Sequence, residues 1–157
     1  MKKFFLLLVT ATLFGDICID STLFRLPQWE QALKEITHPN FFAEGVTFRS
    51  FRDPQSLTIV YLAATNGTIS PQELAAYPLF SKKHTLEEEI LTEKGCILFF
   101  KKDPQKCSCN CCNPNPITVR IDYLPQRTAL AVVLHRLEQK EAVRNILGYL
   151  EIENHLS

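Results

Sequence analysis

The chain has 157 residues, and its seventeen basic and seventeen acidic side chains give a formal net charge of zero. Hydrophobic residues make up 46% and charged residues 22%, a composition that excludes a disordered chain. The balanced charge, without a run of like charges, argues against a nucleic-acid surface.

The first residues have the anatomy of a secretory signal. Lys2 and Lys3 precede the apolar run Phe4–Phe14, in which only two threonines are polar. This run is shorter than the roughly 20 apolar residues that span a bilayer. We therefore predict a signal peptide over residues 1–15 and a secreted or periplasmic mature chain without a transmembrane span. The alternative is a cytoplasmic protein in which the same run is a buried first strand.

The segment after the leader predicts a helix and two strands. Pro27 suits a first helical position, and apolar residues at helical spacing continue to Ile36, before His38 and Pro39 end the helix. Imperfect alternation over Val46–Arg52 predicts a strand with a bulge. The nearly unbroken apolar run Leu57–Ala64 predicts a central strand that is covered on both faces.

Two capping motifs predict the next helices. Ser70, Pro71 and Glu73 form a capping box for a short helix that ends near Pro78. A similar motif at residues 85–88 predicts a second helix that ends at Lys94 and Gly95.

The C-terminal half predicts a hairpin and a long helix. Residues 96–101 and 117–123 are predicted to be strands that flank a cysteine-rich loop over residues 103–116. In the second strand we expect Thr118, Arg120 and Asp122 to face outward. A long helix is predicted from Gln126, with a bend near residues 139–141.

This order of elements predicts the fold class α+β, with an antiparallel sheet of about four strands, helices packed on one face and a long C-terminal helix. Residues 16–157 are predicted to form a single domain. The order of elements resembles that of the small dimeric secretion chaperones of bacterial type III systems. That resemblance would imply a cytoplasmic adaptor.

The cysteine run is the most distinctive chemical feature of the chain. Four of the six cysteines, Cys107, Cys109, Cys111 and Cys112, lie within six consecutive residues. In an oxidising compartment they would pair as disulfides, which we favour because of the predicted leader. The spacing also resembles stretches of metallothionein, which implies a site for Zn²⁺ or Cu⁺. A third interpretation is an exposed loop that the cysteines merely stiffen.

The remaining cysteines and the histidines are given structural interpretations. Cys96 is expected to be a buried thiol opposite Tyr123, far from the cluster, although a bridge from Cys96 to Cys18 stays open. The four histidines lack metal-ligand spacing and are interpreted as surface or cap residues: His38, His84, His135 and His155.

The functional hypothesis is an exported, non-enzymatic binding or assembly domain with a cysteine-stabilised loop and a protein partner of unknown identity. No phosphate-binding loop or nucleophile elbow indicates catalysis, and we expect no organic cofactor. The alternatives are a metal-binding protein that uses Cys107–Cys112, and the cytoplasmic adaptor. The sequence leaves the oligomeric state open.

Overall fold

The structure is a computed structural model that describes residues 16–25, 33–37, 42, 45–53, 58–106 and 115–154. These residues contain the following elements in chain order: β1 (Asp16–Ile19), β2 (Thr22–Arg25), β3 (Lys34–Ile36), β4 (Thr47–Arg52), β5 (Ile59–Asn66), α1 (Pro71–Ala75), α2 (Pro78–Ser81), β6 (His84–Leu91), β7 (Gly95–Lys102), β8 (Ile117–Leu124), β9 (Arg127–Leu134), α3 (Lys140–Tyr149) and β10 (Glu151–Asn154). A 3₁₀ turn over Leu137–Gln139 leads directly into α3.

The predicted fold class is wrong. Strands hold 54% of the described residues and helices 19%, so this part of the chain is mostly β rather than a helix-packed α+β layer. The central sheet has seven antiparallel strands in the order β3-β4-β5-β9-β8-β7-β6, and a second sheet has the order β1-β2-β10. The element order that resembles the type III chaperones is therefore absent from the described residues.

Both faces of the central sheet are buried. On one face, which we call the α1-side core, Tyr61 and Leu130 pack with Leu74 of α1 and Phe80 of α2. The other face, the α3-side core, joins the sheet to α3 and to the small sheet through the following residues: Ile19, Phe24, Val60, Leu62, Ala131, Val133, Val143, Leu147 and Ile152. A sheet covered on both faces requires strands that are apolar at consecutive positions, as β5 and β9 are.

The predicted strand β5 is confirmed as an interior strand with both faces covered. It pairs with β4 on one side and β9 on the other, and Val60 and Tyr61 belong to opposite cores. Strand β4 is also confirmed, although its register with β5 is regular and the predicted bulge is absent there. The bulge lies in β6, between Leu86 and Glu88.

The long helix predicted from Gln126 is wrong over its first half, which is strand β9. Leu130, Val133 and Leu134 do lie at helical spacing, but the residues between them are apolar as well. Such a segment is apolar all round and suits a strand covered on both faces. Its second half is confirmed as α3, which begins at Lys140, within the predicted bend.

The helix predicted over residues 85–95 is also wrong. This segment forms β6 and the turn into β7, and β6 pairs with β7 in antiparallel register. Its glutamates lie on a partly exposed edge strand, where charged side chains remain solvated. The backbone N–H and C=O groups along the edge of the apolar strand β7 require hydrogen-bond partners, which β6 supplies. This pairing outweighs the helix preference of the local capping motif at Thr85.

The other predicted elements have mixed outcomes. Only the N-cap half of the predicted capping box is confirmed: the Ser70 hydroxyl accepts a hydrogen bond from the Glu73 amide at 3.1 Å, whereas the Glu73 carboxylate accepts from the Ser70 hydroxyl at 3.3 Å rather than from the Ser70 amide. Strand β3 replaces the end of the helix predicted from Pro27, whose first residues lie outside the described ranges. Strands β7 and β8 are confirmed as neighbours, with Cys96 opposite Ile121 rather than Tyr123.

The expected exposed face of β8 is buried. Asp122 is 0% exposed, and Thr118 is 1% exposed. The Arg120 guanidinium donates from Nε and Nη2 to the two Asp122 carboxylate oxygens, both at 2.9 Å. Arg120 Nη1 donates to the Leu147 carbonyl at 2.6 Å and to the Leu150 carbonyl. These polar groups are buried because each has a partner, and they join β8 to the end of α3.

Strands β1, β2 and β10 were not predicted. Asp20 and Ser21 have φ values of 46° and 65°, which makes them a two-residue hairpin turn between β1 and β2. Strand β10 then pairs with β2 and completes the small sheet over the α3-side core. No helix among the described residues is long and apolar enough to cross a membrane.

Two glycines provide a matched test of this packing. A Cβ atom on Gly95, at the start of β7, would lie 2.0 Å from the Ile121 carbonyl oxygen, whereas a Cβ on Gly148 in α3 would meet nothing within 4 Å. Gly95→Ala should therefore lower the free energy of unfolding by roughly 1–3 kcal/mol, because backbone must move. Gly148→Ala should raise it by roughly 0.5–1 kcal/mol through helix propensity. Urea denaturation of both variants measures the effects, and equal effects at the two positions would contradict this packing.

Candidate binding site at the loop end of the central sheet

Four strands of the central sheet meet at the end from which the cysteine segment emerges. We call residues 82–84, 101–106, 115–116 and 135–138 the loop end, because β7 ends at Lys102 and β8 begins at Ile117. The cysteines themselves lie outside the described residues, so the disulfide and metal hypotheses remain predictions.

His84 connects the two stems of the cysteine segment. Its Nε2 lies 2.7 Å from the Asn115 carbonyl oxygen, and its own carbonyl accepts from Lys106 Nζ at 2.8 Å. A carbonyl only accepts, so Nε2 carries the proton and donates it. The chain on the two sides of residues 107–114 is thereby held at one point of β6.

A short turn orders the first stem. The Asp103 amide donates to the Lys83 carbonyl at 2.9 Å, and the Asp103 carboxylate accepts from the Gln105 amide at 2.9 Å. The Lys106 amide closes the turn on the Asp103 carbonyl at 3.1 Å. Asp103 therefore acts as an Asx turn that leads the chain away from β7.

His135 occupies a similar position on the other face of the sheet. Its Nδ1 lies 2.7 Å from the Arg136 carbonyl oxygen, so Nδ1 carries the proton. Its Nε2 lies 2.7 Å from the Thr118 hydroxyl, which donates to this nitrogen when the ring is neutral. His84 and His135 are only 5% and 1% exposed. Both were interpreted as surface or cap residues, and that interpretation is wrong.

A cavity of about 530 Å³ opens at the loop end. The described part of its wall contains three cationic side chains, one carboxylate and two apolar side chains: Lys101, Lys102, Arg136, Glu138, Pro116 and Leu137. Asn115 completes this described lining. The Lys101 ammonium is 3.9 Å from a Glu87 oxygen, and the Arg136 guanidinium is 3.8 Å from a Glu138 oxygen. Both distances exceed those of a hydrogen bond, and both pairs are exposed enough to contribute little stability.

The start of the helical segment orders the backbone of Arg136. The Arg136 amide donates to the Gln139 side-chain oxygen at 2.9 Å, and the Gln139 amide donates to the Arg136 carbonyl at 3.0 Å. The 3₁₀ turn that begins at Leu137 continues into α3, so the amino terminus of this helical segment lies beside the cavity. The first amides of a helix lack intrahelical acceptors and carry a partial positive charge.

The described cysteines take no part in this site. Cys96 is buried in the α1-side core, and burial raises the pKa of its thiol to about 11. Cys18 is an exposed free thiol on β1, in the small sheet, so the possible bridge from Cys18 to Cys96 is not formed. Within the described ranges, no group of three His, Cys, Asp or Glu side chains could hold a metal ion.

Sequence reasoning missed the cavity for an identifiable reason. Arg136 follows a segment that was predicted to continue as a helix, whereas β9 ends at Leu134. The sequence signal for this cavity was the pair Lys101 and Lys102, which lies at the end of a predicted strand beside the cysteine segment. No protein family, no curated protein and no solved structure matches this chain.

The two buried histidines predict a pH dependence of stability. Burial lowers the pKa of both rings below 6.5, and Lys83 and Lys106 beside His84 and Lys140 beside His135 lower it further. The unfolded chain therefore binds protons more readily than the folded one. The stability due to the neutral rings is fully present above about pH 6.5 and is lost as the pH falls below that value. The urea midpoint should decrease between about pH 7 and pH 5.

The double variant His84→Gln/His135→Gln tests this assignment. It should be less stable than the parent chain at about pH 8, because hydrogen bonds are lost, but its stability should vary less between about pH 7 and pH 5. Equilibrium unfolding in urea at several pH values measures both effects. An unchanged pH slope in the double variant would show that other groups cause the acid sensitivity.

Proposed function

We propose that this chain is an exported, non-enzymatic binding domain that contacts a protein partner through the cysteine segment between β7 and β8. Cys107, Cys109, Cys111 and Cys112 are paired as disulfides in this proposal, because the leader-like N-terminus favours an oxidising compartment. The single observation that carries the proposal is the run of four cysteines within six residues.

The scaffold around the cysteine segment supports a binding role. Loops held by a rigid framework commonly carry recognition residues. Here the framework is a sheet with two buried faces, and His84 holds both stems of the segment. The ordering cost of binding is lower for a segment whose ends are already fixed.

The alternative is a metal-binding protein in which the same four thiolates hold Zn²⁺ or Cu⁺. The observation that favours it is the cationic character of the loop end, where Lys82, Lys83, Lys101, Lys102 and Lys106 all lie near the stems. Neighbouring cations stabilise thiolates and would offset the negative charge of a four-thiolate site. A bridge between the adjacent Cys111 and Cys112 would be strained, so disulfide pairing has to use more distant partners.

Intact mass of the chain recovered from its own compartment, after alkylation without reduction, distinguishes the two chemistries. Disulfides predict loss of two hydrogens per bridge and no alkylation of the paired thiols. A metal site predicts added metal mass under native conditions and release of that metal by acid or a chelator. Four alkylated thiols without metal would contradict both.

The binding role has a separate test. Because the disulfides close very short loops, replacing all four cysteines by serine should change the melting temperature by only a few degrees. A photo-reactive residue at Gln105, beside the segment, should give a discrete cross-linked partner that the four-serine variant loses. The same residue at Gln72 in α1 is the control. Equal cross-linking at both positions, or at Gln105 with and without the cysteines, would contradict a role of the segment in binding.

A further inference from the structure

We propose that the cavity at the loop end binds a small organic anion that carries a phosphate or carboxylate group on an apolar body. Its volume of about 530 Å³ lies within the range of about 300–1,000 Å³ that is usual for small-molecule sites. The residues that define this cavity are 101–102, 115–116 and 136–138, all in the described part of the chain.

Charge selects an anion. The described lining contributes three cations, Lys101, Lys102 and Arg136, against one carboxylate, Glu138, and outside the lining the Glu87 carboxylate lies 3.9 Å from Lys101. The guanidinium of Arg136 can meet two oxygens of a phosphate or carboxylate at once, whereas a lysine acts as a point charge. The start of the helical segment at Leu137 adds partial positive charge on the same side.

The apolar part of the cavity wall favours a ligand that carries an apolar group. Leu137 is 65% exposed, one of four large hydrophobic side chains that the described surface exposes, and Pro116 lies in the same wall. Covering this apolar surface is favourable because it is removed from water. An anion with an aryl or alkyl group can therefore gain contacts that a bare inorganic ion cannot.

Phenyl phosphate is a suitable probe, followed by amide chemical shifts in NMR at low ionic strength. Saturable shifts should be confined to residues 101–102 and 136–138. Inorganic phosphate should bind more weakly, because it has no apolar body, and phenol should cause no shifts there, because it is uncharged at neutral pH. Shifts that do not saturate, or that lie elsewhere, would overturn the site.

Three substitutions distinguish binding at this cavity from nonspecific electrostatic attraction of the anion to the protein. Arg136→Gln should weaken phenyl phosphate binding by roughly three- to tenfold, and Glu138→Gln should strengthen it by roughly two- to fivefold. Lys94→Gln is the control, because it removes the same charge at the other end of β7, roughly 23 Å away at about 3.3 Å per residue. It should leave the affinity unchanged. Equal weakening by Arg136→Gln and Lys94→Gln would refute a defined anion site.

Discussion

A buried ion pair holds the C-terminal helix to the central sheet. Asp122 is completely buried, and its two oxygens accept from Arg120, whose remaining donor nitrogen reaches the Leu147 and Leu150 carbonyls. The carbonyls at the end of a helix lack the amide donors of a following turn and carry a partial negative charge, and the Leu147 carbonyl also accepts from the Leu150 amide at 3.3 Å. One guanidinium therefore satisfies a buried carboxylate and the end of α3 at the same time.

Much of the second layer depends on this contact. Fixing the Leu150 carbonyl fixes the start of β10, which pairs with β2, and β2 pairs with β1. Strand β10 therefore starts at a defined position after Leu150, and this position places the small sheet over the α3-side core. At its other end, α3 is joined to the edge of the sheet through Lys140, whose ammonium lies 2.7 Å from a Glu88 oxygen and 4.0 Å from the centre of the Phe99 ring. The helix is held at both ends, and its start brings Arg136 to the cavity.

The correct predictions concern elements whose local sequence signals are sufficient, without knowledge of which strands pair with them. The N-cap at Ser70, the apolar run of β5 and the hairpin of β7 and β8 carry strong local signals, and they are present. Strand β6 was predicted as a helix because of the capping motif at residues 85–88, and β9 because its apolar periodicity is compatible with either structure. Pairing with β7 determines that β6 is a strand, and pairing with β5 and β8 does so for β9. Such long-range pairing is not visible in a short window of the sequence.

The candidate site was also predictable from the sequence only in part. The cysteine run and the lysines at the end of β7 could be found in the sequence. Arg136 and the two buried histidines could not, because their positions depend on where β9 ends and on which strands are neighbours. Polar residues of β8 were expected to face solvent, since alternation alone does not reveal that Arg120 and Asp122 satisfy each other.

A double-mutant cycle on Arg120 and Asp122 tests the central role of this ion pair most directly. Arg120→Met, Asp122→Leu and the double variant should be compared with the parent chain by urea unfolding. The exposed pair of Arg49 and Glu35, with nitrogen and oxygen 2.6 Å apart, serves as the control, and Arg49→Met should cost less than about 1 kcal/mol.

Each single change in the buried pair should lower the free energy of unfolding by roughly 3–5 kcal/mol, because one buried charge is left without its partner. The double variant should lose much less than the sum of the two. Small, additive losses like that of the Arg49 control would contradict the account.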